Sequence, residues 1–179
     1  VRDMQRVKKY LRKKKPVGII LDGGSGSGKT TLAVQLLELF QGGLIDYKLQ
    51  YAMGGEDFVK KFPKSWAEGY RVMIYDEAGD YSGKNHSSKF NKMMDEFFDK
   101  FRTFITLVIF VLPFFNTLPK SLFDKQIPKW LLNVRRDVDD EFASVRGYNL
   151  YRMEHMRFYL KKDRVKINSQ VYDLVEPNY

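Results

Sequence analysis

The chain has no cysteine and two histidines, His86 and His155. The first absence removes disulfides, thiolate zinc sites and cysteine nucleophiles together. The second leaves too few imidazoles for a histidine metal cluster, and both histidines read as surface or loop residues. Long apolar runs are missing as well. A bilayer span needs roughly 20 apolar residues, whereas the longest run here, Phe104 to Phe115, carries Thr106 and Pro113 and reads as a buried strand. The amino-terminal segment is rich in Arg and Lys and lacks the apolar core of a secretion signal. The expectation is a cytoplasmic protein, or a viral or plasmid-encoded one acting in a host cytoplasm. Internal repeats and low-complexity linkers are also lacking.

What is present is a core-forming composition with a basic surplus. Of 179 residues, 44% are hydrophobic and 15% aromatic, which excludes a disordered chain. Lys and Arg number 31 against 22 acidic residues, for a net charge of +9. Such an excess favours polyanionic partners, nucleic acid first and an anionic membrane second. Part of it is concentrated at Lys8, Lys9, Arg12, Lys13, Lys14 and Lys15, where a solvated tail is the plain alternative.

Periodicity divides the chain. Met4, Val7 and Leu11 fall at helical spacing over residues 2–13, and Pro16 ends that segment. Val17 to Leu21 is a short apolar run, as in a strand buried on both faces. After a glycine-rich loop, Thr31 to Gln41 places Leu32, Leu36, Leu39 and Phe40 on one helical face, stopped by Gly42 and Gly43. Residues 44–53 alternate polar and apolar positions and predict an edge strand. Residues 55–62 predict a short helix closed by Pro63. Val72 to Tyr75 predicts a buried strand, and a polar loop from Gly79 to Ser88 follows it. Phe90, Met93, Met94, Phe97, Phe98 and Phe101 then recur at helical steps. Phe104 to Leu112 and Trp130 to Val134 predict two more strands, and the tail after Tyr148 predicts β structure with a turn near Lys161–Asp163. The alternation of strands and helices indicates an α/β fold with a mostly parallel sheet. The expected organisation is one domain over 1–179. Residues 1–15 form a basic helix, 16–136 a nucleotide-binding core and 137–179 a β-rich extension.

Gly23-Gly24-Ser25-Gly26-Ser27-Gly28-Lys29-Thr30 satisfies GxxxxGK[ST], between a predicted strand and a predicted helix. Glycines let backbone N–H groups approach phosphate oxygens, and the following helix adds the positive end of its dipole. Lys29 supplies a point charge to the β- and γ-phosphates of a nucleotide such as ATP. The Thr30 hydroxyl ligates Mg²⁺, and Thr31 sits beside it at the helix start. Asp76-Glu77 follows the apolar run at the end of the next buried strand, where parallel sheets place their ligands. Asp76 there holds Mg²⁺ through a water, and Glu77 orients and deprotonates the attacking water. An ordinary strand-to-loop transition is the alternative reading of the pair.

The loop taken alone resembles ABC-type ATPases and uridine-kinase-like enzymes equally well. An ABC domain needs a longer segment between the two motifs and an LSGGQ-like signature. A GTPase needs an NKxD-like base reader. Neither is in the sequence. Small-molecule kinases usually lack an apolar run ending in Asp-Glu and carry an arginine-rich lid. The glutamate therefore points to ATPases with a second catalytic carboxylate.

With Asp76-Glu77, the helix to Lys100, Arg102 and the strand from Phe104 to Leu112, residues 15–136 resemble the FtsK/HerA-like P-loop ATPases. They are also similar to phage-assembly ATPases of the zonula occludens toxin type. The resemblance implies a RecA-like fold, ATP and Mg²⁺, a homo-oligomer such as a hexameric ring, and double-stranded DNA as cargo. It implies that Arg102 is a finger reaching a neighbour's nucleotide. Pairing of Arg102 with a surface carboxylate is the alternative, and Arg135, Arg136 and Arg146 compete for the role. Where that family ends the strand with a Thr-Gln sensor, this chain runs Leu112-Pro113-Phe114-Phe115-Asn116-Thr117, so Asn116 is the candidate sensor or a plain turn residue. Lys84, Lys89 and Lys92 are candidates to line a pore. Two other functions stay open. One is an ATPase that assembles or secretes protein partners at a membrane, with Tyr148, Tyr151, Tyr159, Tyr172 and Tyr179 as a partner surface. The other is a small-molecule P-loop kinase.

Overall fold

A computed structural model of the protein describes residues 5, 7–9, 16–81, 89–100, 107–136, 143–153, 156, 165–167 and 170–172. In chain order the strands are β1 (Val17–Asp22), β2 (Tyr51–Met53), β3 (Val72–Asp76), β4 (Leu107–Val111), β5 (Pro128–Arg135), β6 (Ser144–Asn149), β7 (Val165–Ile167) and β8 (Gln170–Tyr172). The helices are α1 (Lys29–Gln41), α2 (Tyr47–Gln50), α3 (Gly55–Ala67), α4 (Lys89–Lys100) and α5 (Lys120–Asp124).

Six strands form one sheet in the order β2-β3-β4-β1-β5-β6, and β7-β8 pair separately as an antiparallel hairpin. β1, β3 and β4 are buried at every position. That is why their sequences are continuous apolar runs rather than alternating ones. All pairings from β2 to β5 are parallel, and only β6 runs against its neighbour. The carboxyl ends of β1, β3 and β4 therefore share one edge of the sheet. β4 lies between the strand that feeds the glycine loop and the strand that ends in Asp76.

Each face of the sheet buries its own core. Ala33, Leu36 and Leu37 of α1 cover Val17, Ile19, Leu21, Ile74 and Ile109, with Val7 of the amino-terminal helical segment in the same cluster. On the other face α3, α4 and α5 pack Phe58, Phe62, Met94, Phe98 and Leu122 against Ile20, Met73, Tyr75 and Phe110. Phe58 stacks on Tyr75 at 4.8 Å between ring centroids, and Phe62 meets Phe97 edge-on at 4.7 Å. Of the predicted α4 stripe, Met94 and Phe98 are fully buried and Met93 is 38% exposed.

Four expectations are corrected. Pro63 does not close its helix but lies inside α3, which runs to Ala67. The missing N–H and the ring clash cost about 3 kcal/mol. Burying Phe58 and Phe62 returns roughly 1.5–3 kcal/mol each, and the helix continues. Residues 47–50 are helical rather than extended, so only 51–53 form the edge strand. Asp46 caps that turn by accepting from Lys48 N at 2.8 Å. On α1 the buried positions are Ala33, Leu36 and Leu37, while Leu39 is 46% exposed. Leu32 and Phe40 pack against the same core at partial burial, so of the predicted stripe Leu39 alone turns away and Ala33 and Leu37 are added to it. Within the extension expected over 137–179, β structure starts at Ser144, before Tyr148, and residues 150–153 are helical rather than extended. The turn expected near 161–163, the residues 104–106, His86 and His155 lie outside the described residues.

Candidate nucleotide-binding site

The loop after β1 is shaped by its glycines. A Cβ on Gly23, whose φ is 146°, would stand 2.1 Å from the Val134 carbonyl oxygen of β5, so only glycine lets the chain leave the sheet there. Gly23 N donates to Pro113 O at 3.3 Å, which ties the loop to the segment after β4. Gly24, Ser25 and Gly26 are exposed. Gly28, in the left-handed region at φ 92°, turns the loop into α1. That helix begins with no side-chain cap and no acid in its first turn. Its first N–H groups and dipole therefore face the loop without a side-chain cap of the helix's own. Thr31 lies exposed in that first turn.

Lys29 bends back over the loop. Its Nζ donates to Gly23 O at 2.8 Å and to Gly24 O at 2.6 Å, using two of the three N–H donors of an ammonium. Burial holds its pKa below the ordinary lysine value, and the carboxylates of Asp76 and Asp22 partly offset that effect.

The second motif meets the first directly. Thr30 Oγ1 donates to Asp76 Oδ2 at 3.0 Å. The same oxygen accepts from the Tyr51 hydroxyl at 2.5 Å, and Asp76 Oδ1 accepts from Glu77 N at 2.9 Å. Asp76 is 8% exposed, whereas Glu77 opens to solvent. Glu77 has φ 54° and ψ 34°, a left-handed conformation rare for a residue with a side chain. It heads a 3₁₀ turn over Ala78–Asp80, and Asp80 fastens that turn. Asp80 Oδ2 accepts from Gly55 N at 2.6 Å, while Oδ1 accepts from Tyr81 N at 2.8 Å and from the buried Tyr75 hydroxyl.

Asp22, at the end of β1, is 7% exposed and accepts from Asn133 Nδ2 at 2.7 Å. Arg135 Nε donates to Asn133 Oδ1 at 2.7 Å, so an exposed arginine on β5 is oriented through an amide onto a carboxylate beside the loop. Asn116 lies exposed on the 3₁₀ turn Phe115–Thr117 after β4. The contact of that turn with β1 runs through Phe115 N and Asp22, at 3.5 Å. Arg136 and Arg146 are exposed. Arg102 and Lys84 lie outside the described residues, Lys92 is exposed on α4, and Tyr148 packs in part against the core while Tyr151 is exposed.

The residues present suit a triphosphate with Mg²⁺. Ser27 Oγ is buried with no hydrogen-bond partner among the described residues, as expected of a loop hydroxyl facing an anion. No group of three or more His, Cys, Asp or Glu side chains among the described residues could enclose an ion. Mg²⁺ does not need such a cage. It is ordinarily held by one or two protein oxygens, waters and substrate phosphates, and Thr30 and Asp76 are such a pair.

Of the residues expected from the sequence, the structure brings the loop, Thr30 and Asp76 together. Asp22, Tyr51 and Asp80, which bond around the loop and the end of β3, were not among them. The position of Asp22 directly before the loop was a usable signal. Tyr51 carried none, because its partner follows only from the pairing of β2 with β3.

The sheet order, the loop after β1 and Asp76 at the end of β3 define a RecA-like P-loop NTPase fold. No family model matches the chain. Among curated proteins, the bifunctional alpha-galactosidase/sucrose kinase AgaSK of Mediterraneibacter gnavus is 44% identical over 64 residues, 36% of this chain. The match spans only 6% of that protein's length. Among solved structures, the N-terminal domain of zonular occludens toxin from Neisseria meningitidis aligns with a TM-score of 0.47 at 13% identity, covering 75% of this chain and 84% of that one. A KaiC-like protein from Pyrococcus horikoshii aligns at 0.49 and 11%, covering 75% and 80%. The genome packaging NTPase B204 of Sulfolobus turreted icosahedral virus 2, in complex with ATP-gammaS, aligns at 0.47 and 14%, covering 70% and 78%. Likenesses this distant add nothing to what the topology and the loop define. No described helix is long and apolar enough to cross a membrane.

Proposed function

We propose that this chain is a Mg²⁺-dependent ATPase that works as a homo-oligomeric motor on double-stranded DNA. The observation that carries the nucleotide chemistry is the hydrogen bond from Thr30 to Asp76, which joins the two motifs at the mouth of the loop. On this reading the loop amides from Gly23 to Thr30 grip the triphosphate, and Lys29 moves from its loop carbonyls to the terminal phosphates. Thr30 and Asp76 would hold Mg²⁺, which would supply positive charge to offset that of the phosphates. Glu77, exposed beside Asp76, accepts the proton of the attacking water. Arg102 from a neighbouring copy stabilises charge on the transferred group, a role supported by its place in the sequence alone. Asn116 is the proposed sensor, on the turn after β4. The DNA assignment is supported by the motif pair and by the net charge of +9.

The test is turnover with and without double-stranded DNA, with oligomer mass measured on the same samples. DNA-stimulated release of phosphate by an oligomer supports the motor. Turnover stimulated by a coat or membrane protein instead would make it an assembly or secretion ATPase.

One observation favours a second reading. The curated relative is named in part as a sucrose kinase, which raises phosphoryl transfer to a small hydroxyl compound. Label from the γ-phosphate appearing on a sugar rather than in free phosphate would decide for it.

A further inference from the structure

Resting on the nucleotide reading of this site, we propose that Tyr51 is a positioning residue for Asp76, holding its carboxylate in the orientation that meets Thr30 and the metal's water. The register of the sheet places it there. β2 pairs parallel with β3 so that Tyr51 lies opposite Ile74 and Met53 opposite Asp76. Residues opposite each other share a face, and Ile74 belongs to the core under α1. Tyr51 and Asp76 therefore stand on the α1 side of the sheet, two positions apart, and α1 brings Thr30 to the same place.

The hydrogen bonds leave Asp76 little freedom. A carboxylate offers about four lone-pair sites. Thr30 and Tyr51 both donate to Oδ2, and Glu77 N donates to Oδ1. Three donors on two oxygens fix the torsion of the group and leave about one site for a further donor such as a metal-bound water. Without the phenol, Oδ2 keeps only the longer bond from Thr30, and that hydroxyl is the group whose lone pair must face the metal.

Tyr51 is itself rigidly mounted. Its carbonyl accepts from Lys61 Nζ at 2.9 Å, Lys61 pairs with Asp57 at 2.7 Å, and Asp57 accepts from Met53 N at 3.1 Å. The short edge strand is thus clamped onto α3 on both sides of its middle residue.

The experiment uses Tyr51→Phe, which keeps the ring and its packing. A fluorescent ATP analogue is titrated onto the full chain in chelator and then across a Mg²⁺ series, with thermal melting as a check on folding. Affinity without Mg²⁺ is expected to match the parent, while half-saturating Mg²⁺ rises about tenfold, the scale of one lost hydrogen bond to a charged group. Equal Mg²⁺ dependence in the two proteins overturns the inference and leaves the nucleotide reading standing. Equal weakening with and without Mg²⁺ also overturns it, because the role is then general packing. A parent protein that binds no nucleotide overturns the reading and the inference with it.

Discussion

Thr30 Oγ1 and Asp76 Oδ2, 46 positions apart in sequence, sit 3.0 Å apart at the carboxyl edge of the sheet. Neither group supports the apolar core, so their meeting calls for a ligand-side explanation. Thr30→Ala removes the hydroxyl without disturbing burial, since Thr30 is exposed. Losing a donor to the largely buried Asp76 carboxylate should cost about 1.5 kcal/mol of fold stability. Mg²⁺-dependent turnover should fall at least about tenfold, the scale of one lost hydrogen bond to a charged group. Thr30→Ser should restore most of it. Phosphate release across a Mg²⁺ series checks this, and a fully active Thr30→Ala would remove Thr30 from the metal site.

The loop glycines separate by what surrounds them. An added Cβ at Gly23 meets the Val134 carbonyl at 2.1 Å, and the backbone there has φ 146°. Gly24 has open space around it and no unusual φ, and Gly26 has open space with φ 75°. In chemical denaturation Gly24→Ala should leave stability nearly unchanged, and Gly26→Ala should lose about 1 kcal/mol. Gly23→Ala should lose about 3 kcal/mol or more. A Gly23→Ala protein as stable as the parent would contradict the packing of the loop on β5.

What was legible in the sequence was local. Gly23 to Thr30 and the run Val72 to Asp76 declare themselves because each motif sits within a few residues of its strand, and parallel central strands are apolar throughout. Pro63 was misleading because its local penalty is outweighed by Phe58 and Phe62 packing across the sheet. Residues 47–50 were misleading because the Asp46 cap and the buried Gln50 override an alternating pattern. Gln50 Nε2 donates to Val72 O at 2.9 Å and to Gln41 Oε1 at 3.0 Å, partners 22 and 9 positions away. Tyr51 and Asp80 were invisible for the same reason. Their partners are set by strand register and by the approach of α3, which no local pattern encodes.

Glu77 holds a left-handed backbone at φ 54°, a conformation that costs a residue with a side chain about 1 kcal/mol or more. Glu77→Gln keeps the strain and should match the parent in stability, binding nucleotide but hydrolysing it slowly. Glu77→Gly relieves the strain and should melt no lower than the parent while hydrolysis is lost. Asp80→Asn tests the other end of the turn. Both oxygens of Asp80 accept hydrogen bonds, and an amide replaces one acceptor with a donor. A loss of about 2 kcal/mol is expected. Thermal melts paired with single-turnover assays separate these effects, and an active Glu77→Gly would release Glu77 from its role as base.

Among the described residues, three phenols that are at least partly buried donate to carboxylates, Tyr51 to Asp76, Tyr75 to Asp80 and Tyr81 to Asp95, while the exposed Tyr47 donates to Glu38. Burial first, and then the bonded carboxylate, hold the pKa values of Tyr51, Tyr75 and Tyr81 above the ordinary phenol range, with the Ser121 hydroxyl pulling the other way at Tyr81. A folded pKa above the unfolded one stabilises the fold fully below the unfolded value, about 10. That contribution is lost as pH rises beyond it, because the unfolded chain releases protons that the folded chain retains. Tyr75 and Tyr81 are fully buried and carry most of the effect, while the partly exposed Tyr51 carries less through solvent screening. Each fully retained proton should steepen the fall of stability by about 1.4 kcal/mol per pH unit. Denaturation midpoints followed from roughly pH 9 to 11 should decline less steeply in Tyr75→Phe than in the parent, by close to one proton. Parallel curves for the two proteins would mean that Tyr75 ionises in the folded state as readily as in the unfolded one, and the Tyr75–Asp80 bond would then have no place in the alkaline behaviour of the fold.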